Sequence, residues 1–286
     1  MNSVGFEYYR KFSNDYGDFL TADLQVRLAY DSSEASNDAL GLEIHNALLQ
    51  YKLNSAARLK LGHFDSPFGL EQVLDTHSTI LETLAPKNIG FTKDWGVALE
   101  GTLPDFDYSV ALQLGSGTSI YRKDDSFLVA SRIGTPADRN VQAGFSLMYG
   151  RVLQTMGMST FPRNELLSDK AVVKKRVGLD GQYLFGPYFM KVEVAFGKDD
   201  DKDVLGYLYE IDYTVPRLQN LEFELQFQSW QKNLHAQGSD DSTLSVGASY
   251  KLNPQITFRT AFIHDFNLTE GQEDDKILAQ IYYFGR

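Results

Sequence analysis

The sequence predicts an all-β protein, a transmembrane antiparallel up-and-down β-barrel of about 15–16 strands. Three observations predict it. Apolar and polar residues alternate in stretch after stretch. Leu221-Glu222-Phe223-Glu224-Leu225-Gln226-Phe227-Gln228 is one such stretch, and Leu205, Tyr207, Tyr209, Ile211, Tyr213 and Val215 mark another. A period of two puts one set on each face of a strand. The apolar set is large and aromatic, which suits lipid, and the other set is charged or small, which suits a wet lumen. Secondly, the connections sort into tight turns and long polar loops that alternate, as they do when the two rims of a barrel face different compartments. Thirdly, no run of about 18 apolar residues exists, so a membrane-spanning helix is excluded.

Taken in order, segment 4–12 turns at Ser13-Asn14-Asp15-Tyr16-Gly17 into 18–31, and the polar stretch 32–38 leads on to 39–53. Asn54-Ser55-Ala56 returns the chain into 57–64, and the long stretch 65–93 follows. Segments 94–103 and 106–115 meet at Pro104-Asp105, and 116–125 leads to 126–134. Thr135-Pro136-Ala137-Asp138 joins this to 140–151, and 152–170 precedes 171–186. Gly186-Pro187 turns into 187–197. The next connection, Lys198-Asp199-Asp200-Asp201-Lys202, is short but charged and exposed, and leads to 203–216. Pro216-Arg217-Leu218-Gln219 turns into 220–232, and 233–241 leads to 242–253. Asn253-Pro254 turns into 255–266, and 267–274 leads to 275–284. Gly, Pro, Asn and Asp supply the backbone geometry of tight turns. One short helix is expected, over 76–84 inside the longest loop. The last connection is long and hence external, so segment 4–12 runs from the outer rim inward. An even strand count then calls for one strand before it, and the chain is expected to lack its N-terminal strand. No signal peptide precedes 4–12, and an export signal is expected to have been removed or to lie upstream.

Composition narrows the function. The net charge of -11 excludes nucleic acid as a partner. The chain has 0 Cys, which removes disulfides, thiolate metal sites and covalent haem attachment. The 5 His are scattered and none has metal-ligand spacing, and no Gly-x-Ser-x-Gly elbow is present. An enzyme is not expected, nor a cofactor, metal or catalytic residue. The acidic stretches 199–201 and 273–275 could bridge lipopolysaccharide through divalent ions, against the plainer reading of solvated loop charge.

The stretch Arg58-Leu59-Lys60-Leu61-Gly62-His63-Phe64-Asp65-Ser66-Pro67-Phe68-Gly69-Leu70-Glu71 resembles the motif of the phosphate-selective porin O/P family. That motif is a basic strand ending in Gly, a polar or aromatic pair, and then Pro-Phe-Gly-Leu-Glu. A strand opening Asp-x-Gly-Val follows it in the family, here Asp94-Trp95-Gly96-Val97. The resemblance implies a sixteen-stranded outer-membrane porin of a Gram-negative bacterium, often trimeric, passing anions. Its surroundings would be outer-membrane lipid and lipopolysaccharide.

From the alternation itself, the lumen cations are expected to be Arg27, Arg58, Lys60, Arg132, Arg176, Lys191, Lys251 and Arg259. The lumen anions are expected to be Asp23, Glu43, Glu100, Asp180, Glu193, Glu210, Asp212, Glu222, Glu224 and Asp265. The two signs nearly balance, and no ring of one sign is evident. Loop 65–93 is expected to fold toward the lumen, because a loop this long is unusual unless it has a task. Asp65, Glu71, Asp75, His77, Glu82 and Lys87 would be its gate residues. The expected pore-lining and constriction set is Arg58, Lys60, Asp65, Glu71, Lys87, Glu100, Arg27, Arg132, Arg176, Lys191 and Arg259. Two functions follow. One is a water-filled channel for passive diffusion of small polar or anionic solutes. The other is a sheath barrel enclosing a partner protein such as an electron-transfer cytochrome.

Overall fold

A computed structural model of the chain describes residues 2–30, 40–74, 79–153, 160, 170–236, 238, 240–266 and 275–284. Its strands are β1 Asn2–Asn14, β2 Gly17–Tyr30, β3 Leu40–Lys52, β4 Arg58–Asp65, β5 Lys93–Thr102, β6 Asp107–Gln113, β7 Phe127–Gly134, β8 Val141–Val152, β9 Val172–Phe185, β10 Tyr188–Asp199, β11 Lys202–Thr214, β12 Leu221–Gln231, β13 Asp240–Asn253, β14 Ile256–Phe266 and β15 Asp275–Tyr283. They form one 15-stranded sheet in sequence order, β1 to β15, a meander in which each strand pairs with its chain neighbours. Every strand lies within two residues of the segment that the alternation marks.

The sheet is inverted relative to a water-soluble protein. Phe196, Leu225, Val246 and Phe262 are exposed, while Glu193, Glu210, Glu224, Gln226 and Arg259 between them are buried. The alternation requires this: one face of each strand carries the large apolar side chains, and the other carries charge and amide. Aromatic pairs line the apolar face, with Tyr188–Tyr213 centroids 5.1 Å apart and Tyr207–Phe227 6.0 Å apart.

The tight turns close by local side-chain bonds. Asn14 Oδ1 accepts from the Tyr16 amide at 2.9 Å, Asn54 Oδ1 from Ala56 at 2.8 Å and Asn253 Oδ1 from Gln255 at 2.8 Å. Each is an Asx turn, and all three lie at the short-turn end of their hairpins. In the Lys198–Lys202 stretch the strands run further than expected. β10 reaches Asp199 and β11 starts at Lys202, which leaves a two-residue turn with Asp200 at φ 51.

The helix expected over 76–84 is not where the pattern put it. Residues 79–84 are non-helical, 75–78 lie outside the described residues, and α1 spans only Ala85–Asn88. Pro86 explains the start. A proline cannot donate within a helix and fits only its first turn, so the helix begins around it. Thr83 Oγ1 accepts from the Ala85 amide at 3.4 Å just upstream.

The chain forms two units. The first comprises 1–68, 89–136 and 146–175, and the second 69–88, 137–145 and 176–286. In the first, Phe64, Ala98 and Ala111 form a small apolar cluster with Leu48 on the otherwise polar face. Asp94, fully buried, accepts from the Gly115 amide at 2.6 Å and the Ser116 amide at 3.3 Å, which ties the β6–β7 connection to the head of β5. Gly96 follows because a side chain there would overlap the β6 backbone at Leu112. The Asp-x-Gly-Val stretch is thus a packing device. Outside the strands, the Ala171 amide and then Arg151 hold the Asp124 carboxyl below the usual carboxylate range.

Candidate functional site

In the second unit, residues 69–74 and 79–88 lie across the polar face of β9–β13. Small residues on that face make room for them. Ala195 of β10 and Gly206 of β11 are buried there, and a side chain at Gly206 would overlap the Trp230 ring and touch Leu84. Leu70 and Leu84 are fully buried, so the loop carries its own apolar side, and Leu84 lies beside Gly206 with Trp230. Leaving these two leucines in water would cost roughly 1.5–3 kcal/mol each.

Four polar ties fix the loop to the wall. The Leu70 amide donates to Glu193 Oε2 at 2.9 Å. Gln226 Nε2 donates to the Glu82 carbonyl at 3.1 Å. Lys87 Nζ meets Asp241 Oδ1 at 2.8 Å. Arg176 Nε donates to Asn88 Oδ1 at 2.9 Å. Within the loop, Thr83 Oγ1 donates to Glu71. Gly69 has φ 63, a left-handed conformation that favours glycine, and a side chain there would overlap the Glu193 carboxylate. The Pro67-Phe68-Gly69-Leu70-Glu71 stretch therefore serves to dock a loop, with Glu71 buried against Thr83.

Arg176 is a heavily bonded cation of this wall. Its side chain is buried. Nη2 meets Asp199 Oδ1 at 2.6 Å, Nη1 donates to the Lys198 carbonyl at 2.6 Å, and the guanidinium lies 5.3 Å over the Trp230 ring. Nearer the short turns, Lys191 Nζ bonds Glu210 and meets Asp212 Oδ2 at 2.8 Å. Arg259 Nη1 donates to Gln280 Oε1 at 2.9 Å and stacks 4.8 Å from the Tyr282 ring.

In the first unit, Arg58, Lys60 and Glu100 form one group. Lys60 Nζ is 2.7 Å from Glu100 Oε2, Arg58 Nε is 3.7 Å from Oε1, and Gln50 Nε2 donates to Oε1 at 3.1 Å. Arg58 opens β4 beside a tight turn, roughly 20 Å of strand from the long loop. It therefore stands at the short-turn end of β4, the strand that leads into the loop. Asp65 lies on the opposite face of β4 by alternation and pairs with Lys93 Nζ at 2.5 Å. Arg27 stands in register with Glu43 across β2 and β3, and Arg132 is buried on the polar side of β7. Asp75 and His77 fall outside the described residues.

Sequence reasoning did not give Glu193, Asn88, Asp241 and Trp230 their part in holding the loop. A signal for the docking place is present. Val204, Gly206 and Leu208 put apolar or absent side chains on the face of β11 that elsewhere carries Glu210 and Asp212. A break in the polar row marks where another part of the chain sits.

No protein-family model matches this chain, and no curated protein does. Its structure is similar to several solved porins. An anion-selective porin from Comamonas acidovorans superposes with a TM-score of 0.63 at 13% identity, covering 99% of this chain and 85% of that one. The outer-membrane channel DcaP of Acinetobacter baumannii gives 0.64 at 14% identity, covering 99% and 84%. OmpT of Vibrio cholerae, in a trimer form, gives 0.61 at 14% identity, covering 99% and 91%. The chain has the β-barrel fold of outer-membrane porins.

Proposed function

We propose that this protein is a passive diffusion pore of the Gram-negative outer membrane, taking small polar solutes through a lumen narrowed by residues 69–74 and 79–88. The observation that carries this reading is the loop itself. It is tied at four points across the polar face, the face that lines the bore in this fold. A barrel that sheathed a partner protein would need that space empty, so the docked loop favours the channel over the sheath. The apolar face, rich in exposed Phe, Tyr, Leu and Val, supports a lipid surround. A homotrimer is in keeping with the trimer form of the similar Vibrio cholerae OmpT. The anionic, phosphate-type solute implied by the family resemblance has weaker support, because Arg58 and Lys60 share Glu100.

Planar-bilayer recording of the purified chain tests the reading. A pore gives stable single-channel steps of uniform size. Erratic or absent steps from folded protein would remove it. Reversing Arg58 and Lys60 together to Glu should shift the reversal potential in a salt gradient toward cations. An unchanged potential would take both residues out of the ion path.

A further inference from the structure

The polar face of β10–β12 is acidic between the docked loop and the short turns. Glu193, Glu210, Asp212, Glu222 and Glu224 lie there, with Lys191 as the cation among them. Lys191 serves Glu210 and Asp212 together. Asp212 and Glu224 are directly opposite in register across β11 and β12, a like-charge pairing that destabilises a sheet unless something offsets it. Both are buried, and Asp212 Oδ1 and Glu224 Oε2 have no hydrogen-bond partner. The charges acting on Glu224 are Glu210, Glu222 and Lys191, two of them repulsive. Elsewhere in this unit Arg176 meets Asp199, Lys87 meets Asp241, Lys276 meets Asp265 and Arg259 donates to Gln280.

Burying carboxylates with less than one cation each is costly unless they take up a proton or draw a cation from solution. Where such a wall meets a water-filled bore, its ionised carboxylates attract mobile cations. We infer that this wall makes the pore cation-preferring, with the Asp212–Glu224 pair as the step that draws potassium-like and small ammonium ions past the loop. The inference rests on the pore reading and goes against the anion preference that the sequence resemblance implies. Focusing by a wall of one sign raises the local concentration of counter-ions and excludes co-ions.

The test is the reversal potential of the full chain in a potassium chloride gradient. The expected result is a potassium-over-chloride permeability ratio above one, falling toward one in the Asp212→Asn, Glu224→Gln double variant. Asp200→Asn, in the exposed two-residue turn, should leave the ratio as it is. If the double variant fails to fold, Glu224→Gln alone keeps the Ser249 contact and should lower the ratio part of the way. Stable steps with chloride preference, or a ratio that neither carboxylate change moves, overturn the inference and leave the pore standing. Folded protein that gives no steps overturns the pore and this inference with it.

Discussion

Replacing residues 70–87 by a short Gly-Ser linker is expected to raise single-channel conductance several-fold. The strands should stay paired, because each is held by backbone ladders to its chain neighbours and none depends on the loop for a partner. What the change removes is the layer lying on β9–β13. The Leu70 amide leaves Glu193, Lys87 leaves Asp241, and the Leu84 side chain no longer covers Gly206 and Trp230. A wider bore with fewer fixed charges near its axis should also discriminate less between ions. A smaller disturbance of the same kind, Gly69→Val, puts a side chain on the Glu193 carboxylate at a left-handed backbone position and should raise current noise before it changes mean conductance. Bilayer recordings on both variants check this. An unchanged conductance in the linker variant would mean that residues 70–87 do not limit flow.

Arg176→Met should give the largest loss of stability among single changes in the second unit. The guanidinium is enclosed by Asn88, the Lys198 carbonyl, Asp199 and the Trp230 ring. Methionine fills the space but leaves a carboxylate and two amide oxygens without their donor. Breaking a fully buried charge pair costs on the order of 3–5 kcal/mol, and the loss here should fall below that because Asp199 keeps part of its surface in water. Lysine should recover only part of it, because a single ammonium cannot reach the fork of acceptors that a guanidinium serves. Urea-unfolding midpoints in detergent would measure the difference. A midpoint equal to that of the parent chain would show that these bonds exchange freely with water.

How much could be read from the chain differs between wall and loop, and the residues say why. Strand positions were legible because a period of two is enforced at every residue. Leu221 to Gln228 cannot slip by one without placing four polar side chains in lipid. The tight turns were legible because Asn14, Asn54 and Asn253 carry local chemistry that needs nothing beyond two residues. The expected solute path was less so. Alternation put Arg58, Lys60 and Glu100 on one face, but not the pairing across β4 and β5 that joins them, nor the distance of Arg58 from the loop at the other end of β4. The helix was displaced because Leu84 turns onto the wall beside Gly206 and Trp230. The Thr83 and Pro86 start signal lies closer to Ala85. The loop's anchors were beyond reach for the same reason: Glu193 and Asp241 are ordinary members of an alternating row until something docks on them.

The sequence distance of those anchors has a consequence for folding order. Every ladder in the sheet joins chain neighbours, so hairpins can close as the strands arrive, with little loop-closure entropy at each step. The loop is different. Leu70 reaches its acceptor 123 residues away, and Lys87 reaches Asp241 154 residues away. Its docking place does not exist until β10 to β13 have assembled, so the loop must settle last. The species just before that step would be a finished wall with an unobstructed bore. A time-resolved conductance record during insertion should therefore open on a wide state and narrow to the final one.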